Sequence, residues 1–273
     1  MMNSMKKYSH EQQSTPMIKT ILANRELITI FASKEFILRY KNSVLGYLWA
    51  VLPQLTTVLL FSLLVSRRVF NMGHTDLPYV LHALWSLSLW QFFSATLLGC
   101  QQSLSSSGTL LTKVKFESST LVVASLFSPF VDYCIRLIII FIFCLWYELG
   151  FSITMLLIPI PIALIALMAF GIGLYLSCLN LLFKDLANVV SMILTFGIFL
   201  SPIFYPPPTE GWFVLVNLVN PFSPLLIATQ ELLAGELPTH WLSLSYSLGF
   251  CLFFVLTGWR FYQRVLPKVI EYS

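Results

Sequence analysis

Charged residues are scarce in this chain: 10% of its 273 residues are Asp, Glu, Lys or Arg, whereas 57% are hydrophobic. A soluble domain carries ~25% charged residues, so the chain lacks the polar surface that it would need in water. Its mean hydropathy is +0.80. The composition excludes an ordinary soluble enzyme and predicts an integral membrane protein that acts as a pore or carrier.

Motifs that would support chemistry are also missing. The sequence contains no G-x-x-x-x-G-K-[ST] phosphate-binding loop, and Gly171 and Gly173 stand inside an apolar run that predicts no nucleotide site. The four histidines are scattered, and no cysteine has a partner at metal-ligand spacing. We expect no catalytic residue, metal or bound cofactor, and we interpret the cysteines as small buried residues: Cys100, Cys134, Cys144, Cys178 and Cys251.

Long apolar runs dominate the rest of the chain. A helix that crosses a bilayer core of ~30 Å needs roughly 20 apolar residues. The sequence predicts an all-α integral membrane protein with six transmembrane helices, at about 44–65, 77–100, 120–147, 153–183, 187–205 and 241–262. Pro159 and Pro161 predict a bent or tilted start of the fourth span.

The positive charges predict the orientation. The N-terminal segment 1–43 carries seven Lys and Arg residues and no signal-peptide core, so we expect it to be cytoplasmic. With both termini inside, 13 of the 16 basic residues lie on the inner side, and only Arg67 and Arg68 lie outside. The loop 101–119 and the tail 263–273 are then cytoplasmic, and the protein is expected in the plasma membrane.

The apolar segment 211–234 is interrupted by Asn220-Pro221 and Pro224. A straight helix would lose backbone hydrogen bonds there, so we predict an outer re-entrant helical hairpin between spans five and six. A full crossing is the alternative, and it would move the C-terminus to the outside.

The segment Ile18 to Lys41 has a helical composition with apolar residues on two roughly opposite faces. We predict a helix in the cytoplasmic interface that contacts lipid on one side and protein on the other. A simple membrane-surface anchor remains open on periodicity alone.

Two opposite charges stand near the middle of the third span. Asp132 and Arg136 are spaced i, i+4, which allows them to pair on one helix face. An unpaired charge at the bilayer centre costs ~2.5–3.5 kcal/mol. We therefore interpret them first as a structural pair that faces the bundle, and second as a contact for an anionic substrate.

The string RYKNSVLGYLW, from Arg39 to Trp49, resembles the start of the first span in permeases of ABC-type polysaccharide exporters, which export O-antigen, capsule and teichoic acid chains. Further matches follow in order: LLTKVKF (Leu110 to Phe116), NLLFKDL (Asn180 to Leu186), SPIFY (Ser201 to Tyr205) and NPF (Asn220 to Phe222). The chain departs from the family pattern at four positions, which are Pro53, Ser107, Glu117 and Gln230.

The resemblance implies a homodimer that works with two ATPase subunits, which would bind ATP and Mg. It assigns the contact with the ATPase to the loop between spans two and three, with Lys113, Lys115, Phe116 and Glu117 as coupling residues. The alternative is an ordinary interfacial loop whose lysines follow the positive-inside rule.

For the substrate, the resemblance implies a lipid-linked glycan that moves between protomers along spans one, two and five. Aromatic rings would offer a sugar chain flat stacking surfaces, although interfacial belts explain most rings. We assign the pathway to Trp49, Trp85, Trp90, Phe93, Phe196, Phe199 and Tyr205. Arg39, Tyr40 and Lys41 are assigned to a lipid pyrophosphate at the cytoplasmic mouth, where a phospholipid-facing cluster is the alternative.

Three rival functions stay open at this point. A related ABC permease could carry a drug or small lipid, and a passive channel would need no ATPase. A membrane-embedded transferase would need a group of carboxylates or histidines, which Asp185 and Glu117 alone do not supply. The partners we expect are a second copy, the ATPase subunits, the glycan and membrane lipid, with no nucleic acid.

Overall fold

The computed structural model describes residues 21–41, 46–67, 77–107, 118–183, 185–207 and 210–272. Within these ranges all regular secondary structure is helical, which confirms the all-helical prediction. The α-helices are α1 (Arg25–Tyr40), α2 (Leu52–Ser66), α3 (Tyr79–Gln102), α4 (Ser119–Ala124), α5 (Phe127–Trp146), α6 (Pro159–Leu182), α7 (Leu186–Gly197), α8 (Trp212–Val219), α9 (Phe222–Ala234) and α10 (Trp241–Tyr272). Short 3₁₀ helices occur at Gly46–Ala50, Ser105–Ser107, Ile153–Leu157 and Ile198–Leu200.

Four helical segments among the described residues are long and apolar enough to cross a membrane. They correspond to the second, third, fourth and sixth predicted spans, and they are Tyr79–Gln102, Ser119–Trp146, Ile153–Leu182 and Trp241–Val269. Pro159 and Pro161 lie in the first turn of α6, where a missing backbone N–H leaves no helical hydrogen bond unmade. The chain is therefore a multi-pass membrane protein.

Two apolar helices are shorter. α2 and the segment Leu186–Leu200 correspond to the first and fifth predicted spans, and each has fewer than 18 residues. At ~1.5 Å per residue, the 15 residues of α2 rise about 22 Å, less than the ~30 Å of a bilayer core. By length and composition the described residues supply four spans, or five if α8 and α9 form one broken span.

The helices α8 and α9 meet at an angle of 94°. Asn220 stabilises this bend, since its Oδ1 accepts a hydrogen bond from the Phe222 backbone N–H at 3.0 Å. Its Nδ2 donates to Ser201 Oγ at 2.9 Å, at the end of the preceding element. The asparagine thus replaces backbone hydrogen bonds that are lost at the break.

The helix α3 is the centre of the bundle. Every residue from Leu81 to Trp90 is buried, so this helix has protein on all sides. The helices α5 and α6 pack against it, and α10 packs along the far side of α6. This arrangement puts the second predicted span inside the protomer instead of at its surface.

The contact between α6 and α10 depends on two glycines. A Cβ atom added to Gly171 would lie 2.8 Å from the Val255 backbone nitrogen, and one added to Gly258 would lie 2.7 Å from the Gly171 carbonyl oxygen. Real carbon atoms do not approach so closely, so the two backbones meet without an intervening side chain. Close approach at small residues is typical of helix pairs in membranes.

We predict that Gly258→Val lowers the free energy of unfolding by about 1–3 kcal/mol, because the new side chain must push α6 and α10 apart. The thermal unfolding midpoint of the purified protein in detergent would measure this loss. Gly249→Val on the same helix is the matched control, because an added Cβ there has no neighbouring atom within 4 Å. Equal midpoints for the two variants would contradict the close crossing.

Candidate functional site

The aromatic residues predicted to form a pathway fall into two groups. Trp85, Trp90 and Phe93 are buried inside the protomer, with no more than 8% of their surface exposed. Phe196 and Phe199 are exposed at 64% and 54%. The structure therefore does not bring all of the predicted rings to one surface.

The buried rings pack around the start of α9. The rings of Trp90 and Phe93 lie 5.1 Å and 5.3 Å from the ring of Phe222, and the Trp90 contact is edge-on. Trp90 also contacts the back of α7, since a Cβ added to Gly197 would lie 3.0 Å from its ring. These rings hold α3, α7 and α9 together.

The exposed rings belong to an apolar stripe on α7 and the 3₁₀ turn that follows it. Its members recur at helical spacing on the side that the protomer leaves uncovered, and they are Val189, Met192, Ile193, Phe196, Phe199 and Leu200. We call this stripe the α7 wall. Trp49, which lies in the 3₁₀ helix before α2, is also exposed at 57%.

Tyr205 follows the segment Leu186–Leu200, which we call the α7 segment, five positions after its last residue. Its hydroxyl donates a hydrogen bond to the Phe199 carbonyl oxygen at 3.2 Å. Its ring meets the ring of Phe213 edge-on at a centroid distance of 6.1 Å. Tyr205 therefore connects the end of the α7 wall to α8.

Arg136 is buried and binds two backbone carbonyl groups of other elements. Its Nε donates to the Ala50 oxygen at 3.1 Å, and its Nη1 donates to the Ser88 oxygen at 3.3 Å. Asp132 is also buried, one turn earlier on α5. Both charges face the bundle. Arg136 links α5 to α3 and to the start of the first span. The ion pair between Asp132 and Arg136 stays a prediction.

A second set of polar contacts joins α3 to α9. Gln230 Nε2 donates to Ser86 Oγ at 2.8 Å and to the Pro202 carbonyl oxygen at 3.3 Å. Trp85 Nε1 donates to Thr229 Oγ1 at 2.9 Å. We call these contacts the polar bridge. Hydrogen bonds between buried groups are strong where water cannot replace them.

Sequence reasoning missed the polar bridge. It noted Gln230 only as a departure from the family pattern, and it assigned Trp85 to the pathway. One signal was present, because a buried Trp usually needs an acceptor for its indole N–H. The acceptor, Thr229, lies 144 positions away in the sequence, so spacing could not identify it.

The remaining predicted residues lie at or beyond the limits of the described structure. Arg39 and Tyr40 are in the last turn of α1, and the backbone N–H of Lys41 caps that helix by donating to the Ile37 oxygen at 2.8 Å. The coupling residues Lys113, Lys115, Phe116 and Glu117 fall outside the described residues. Their roles stay predictions.

A metal or acid–base centre would need several ionisable groups together. Among the described residues, no group of three or more His, Cys, Asp or Glu side chains could hold a metal ion. The five cysteines are free, and all but Cys134 are buried.

We predict that Gln230→Leu lowers the free energy of unfolding by about 1–3 kcal/mol, because the buried Pro202 oxygen loses its donor and α9 loses a contact with α3. The thermal unfolding midpoint in detergent is the measurement. Gln102→Leu is the matched control, since Gln102 is exposed at the end of α3. A loss no larger than that of the control would contradict the polar bridge.

The sequence matches known proteins over most of its length. The profile of the ABC-2 type transporter family matches residues 26–234. An O-antigen export system permease protein of Klebsiella pneumoniae is 26% identical over an aligned length of 254 residues, and the alignment covers 90% of this chain and 94% of that protein. A permease of the same name from Myxococcus xanthus is 25% identical over 79% of this chain and 83% of its own length. The chain, a multi-pass helical membrane protein, belongs to the ABC-2 type transporter family.

Proposed function

We propose that this chain is the transmembrane permease subunit of an ABC transporter that exports a lipid-linked polysaccharide across the bacterial inner membrane. One observation carries the proposal: the similarity to O-antigen export permeases extends over nearly the whole of both chains. Agreement over that length includes the helices, the hairpin and the connections that a transport path needs. A drug or small-lipid permease has no comparable support.

We also propose a topology of six spans for this permease. In our proposal α2 and the α7 segment cross as short spans, with the 3₁₀ helices Gly46–Ala50 and Ile198–Leu200 extending them. The two helices of the hairpin, α8 and α9, have eight and 13 residues and are therefore only about 12 and 20 Å long, respectively. Neither helix is long enough to cross a ~30 Å core alone, which supports a re-entrant hairpin on the outer side. If the hairpin does not cross, the number of spans is six, and both termini are cytoplasmic.

We place the path for the glycan at the α7 wall. Large apolar side chains exposed on one protomer need either lipid or a second protein surface, and a homodimer interface provides the latter. Phe196, Phe199 and Trp49 would then face the path directly. Trp85, Trp90 and Phe93 would support the wall from behind, and Tyr205 would fix its outer end.

The motor belongs to another subunit. The chain has no phosphate-binding loop, so ATP and Mg would be bound by two separate ATPase subunits docked on the cytoplasmic face. The proposed coupling loop is 101–119, with Phe116 as the apolar contact between Lys113, Lys115 and Glu117. Arg39, Tyr40 and Lys41, at the end of α1, would meet the pyrophosphate of the lipid-linked substrate at the entrance.

We predict that the double variant Phe196→Ala, Phe199→Ala lowers surface polysaccharide at least several-fold, because the path loses two stacking surfaces. Immunoblotting of surface polymer in cells that lack the native gene is the measurement. The matched control is Phe253→Ala on α10, which removes a ring exposed at 59% away from the α7 wall. Export at the control level would reject the α7 wall as the path.

We predict that Phe116→Ala reduces copurification of the ATPase subunit at least several-fold, because an apolar anchor at the centre of a contact carries much of its affinity. The measurement is the ratio of the two subunits after affinity purification from membranes. Phe151→Ala is the control, since Phe151 is exposed at 67% in a segment that our topology puts on the outer side. If the wild-type chain retains no nucleotide-binding subunit, the exporter assignment itself fails.

A further inference from the structure

An apolar cavity of about 350 Å³ lies between α1 and the transmembrane helices. Ile28, Ala32 and their neighbours on α1 form one wall, and residues of α4 and the start of α5 form another. Its inner end is closed by Phe92 and Thr96 of α3 and by Ala166 of α6. None of its lining residues belongs to the α7 wall or to the polar bridge.

The lining offers a ligand few hydrogen-bonding groups. Eight of the eleven residues that line the cavity are apolar. Of the other three, Thr29 donates its hydroxyl hydrogen to the Arg25 carbonyl oxygen at 2.8 Å, and the hydroxyl oxygen of Thr96 is not accessible. The third is Ser33, with a single hydroxyl. A polar ligand would leave water here without finding partners, which is costly, so the lining suits a hydrocarbon chain.

The entrance to the cavity faces lipid. Phe127 and Phe130, which belong to its lining, are exposed at 43% and 52%. The side of α1 that points away from the cavity is also apolar, with Ile30 and Ile37 exposed at 61% and 57%. Such surfaces are unfavourable in water and are typical of an interfacial helix that is embedded in the membrane. A lipid chain can therefore enter the cavity directly from the bilayer.

One basic residue lies in the middle of the cavity-facing side of α1. Arg25 precedes Ile28 by three positions and Thr29 by four, so it lies about one turn, or ~5 Å, before them on the same face. Its side chain is exposed. Glu26 lies about 100° further round the helix, at the edge of this face. A guanidinium group in this position suits a phosphate above the entrance to an apolar cavity.

The volume indicates how much of a lipid the cavity holds. It equals the volume of about a dozen liquid water molecules, and a methylene group is about as large as a water molecule. The cavity thus holds most of one phospholipid acyl chain, whereas a long, branched polyprenyl chain would stay mostly outside. We propose that this cavity binds a phospholipid of the inner leaflet, with one acyl chain between α1 and α3 and its phosphate at Arg25.

The lipid site requires that α1 lies in the membrane interface, and its test is independent of export. The full-length chain, with any subunit that copurifies, would be prepared in glyco-diosgenin, because the rigid steroid group of that detergent does not imitate an acyl chain. The probe is a phosphatidylglycerol with a photoreactive diazirine in one acyl chain. After illumination, mass spectrometry would locate the label. We expect label between Phe92 and Thr96, in a helix that has protein on its other sides and that surrounding lipid does not reach.

A filled cavity tests the position of the acyl chain. Ala166→Phe should lower the labelling of α3 several-fold, because the new ring occupies the inner end of the cavity. Ala163→Phe is the matched control, since Ala163 is exposed on the same helix and does not line the cavity. The thermal unfolding midpoint reports whether Ala166→Phe folds. If it does not, Ser33→Trp, at an exposed position of the lining on α1, replaces it with the same expected loss.

A charge variant tests the position of the phosphate. Titration of the probe in Arg25→Gln should give an affinity about fivefold lower than in the wild type, the effect of one basic residue at an anionic lipid surface. Lys34→Gln is the matched control. Lys34 is also exposed, but it lies nine positions after Arg25 and so on the opposite face of α1. It should bind the probe like the wild type.

The outcomes decide the lipid site separately from the transport function. Absence of label on α3 in the wild type, equal labelling of the two alanine variants, or equal affinities of the two charge variants would overturn it. Stronger displacement of the probe by a polyprenyl phosphate than by unlabelled phosphatidylglycerol would also overturn it. Label that is lost in Ala166→Phe, weakened in Arg25→Gln and retained in both controls would establish the site. Loss of the gene without loss of surface polymer would instead reject the exporter.

Discussion

The burial of α3 on every side is the constraint on which the rest of the fold depends. A helix in this position can give its polar groups no water, so neighbouring elements must supply their partners. The structure does this for part of the helix from three directions, through α2, α5 and α9, whereas the hydroxyls of Ser88 and Thr96 have no hydrogen-bond partner among the described residues. The contacts are Gln54 Nε2 to the Leu84 oxygen, Arg136 Nη1 to the Ser88 oxygen, Gln230 Nε2 to Ser86 Oγ, and Trp85 Nε1 to Thr229 Oγ1. Each of these contacts fixes the height of one neighbour along α3, which apolar packing alone does not do.

The helices of the protomer therefore differ in how much of their surface is buried against other helices. α3 and α6 form the interior with α10 alongside. In contrast, α7 has one face against Trp90, and its other face, the α7 wall, is uncovered. A transporter that opens a path must have elements that can shift at low cost, and weakly buried helices meet that condition. The proposed path and the interior of the bundle are thus different parts of the same protomer, and Trp90 lies between them.

The sequence predicted those features that depend on runs of residues. Long apolar segments predicted the four helices that are long and apolar enough to cross a membrane, and Asn220-Pro221 predicted the position of the sharp bend between α8 and α9. It was harder to predict which side chains point into the protomer, because a helix that is apolar all round has no periodicity that indicates its inner side. Trp85 and Phe196 look equivalent in the sequence, yet one is enclosed and the other exposed. The partners of Arg136 and Gln230 are backbone and side-chain groups of distant segments, and no local pattern encodes such pairs.

The glycine crossing between α6 and α10 has a mechanical consequence. The Gly171 oxygen lies close to Gly258, and the side chains of Val255 and Tyr175 lie beside these two glycines. If either helix slid along its axis, these side chains would clash with the backbone of the opposite helix. Rotation about the helix axis would do the same. The helices α6 and α10 therefore move as one rigid unit, against which a movement of the proposed cytoplasmic coupling loop can act.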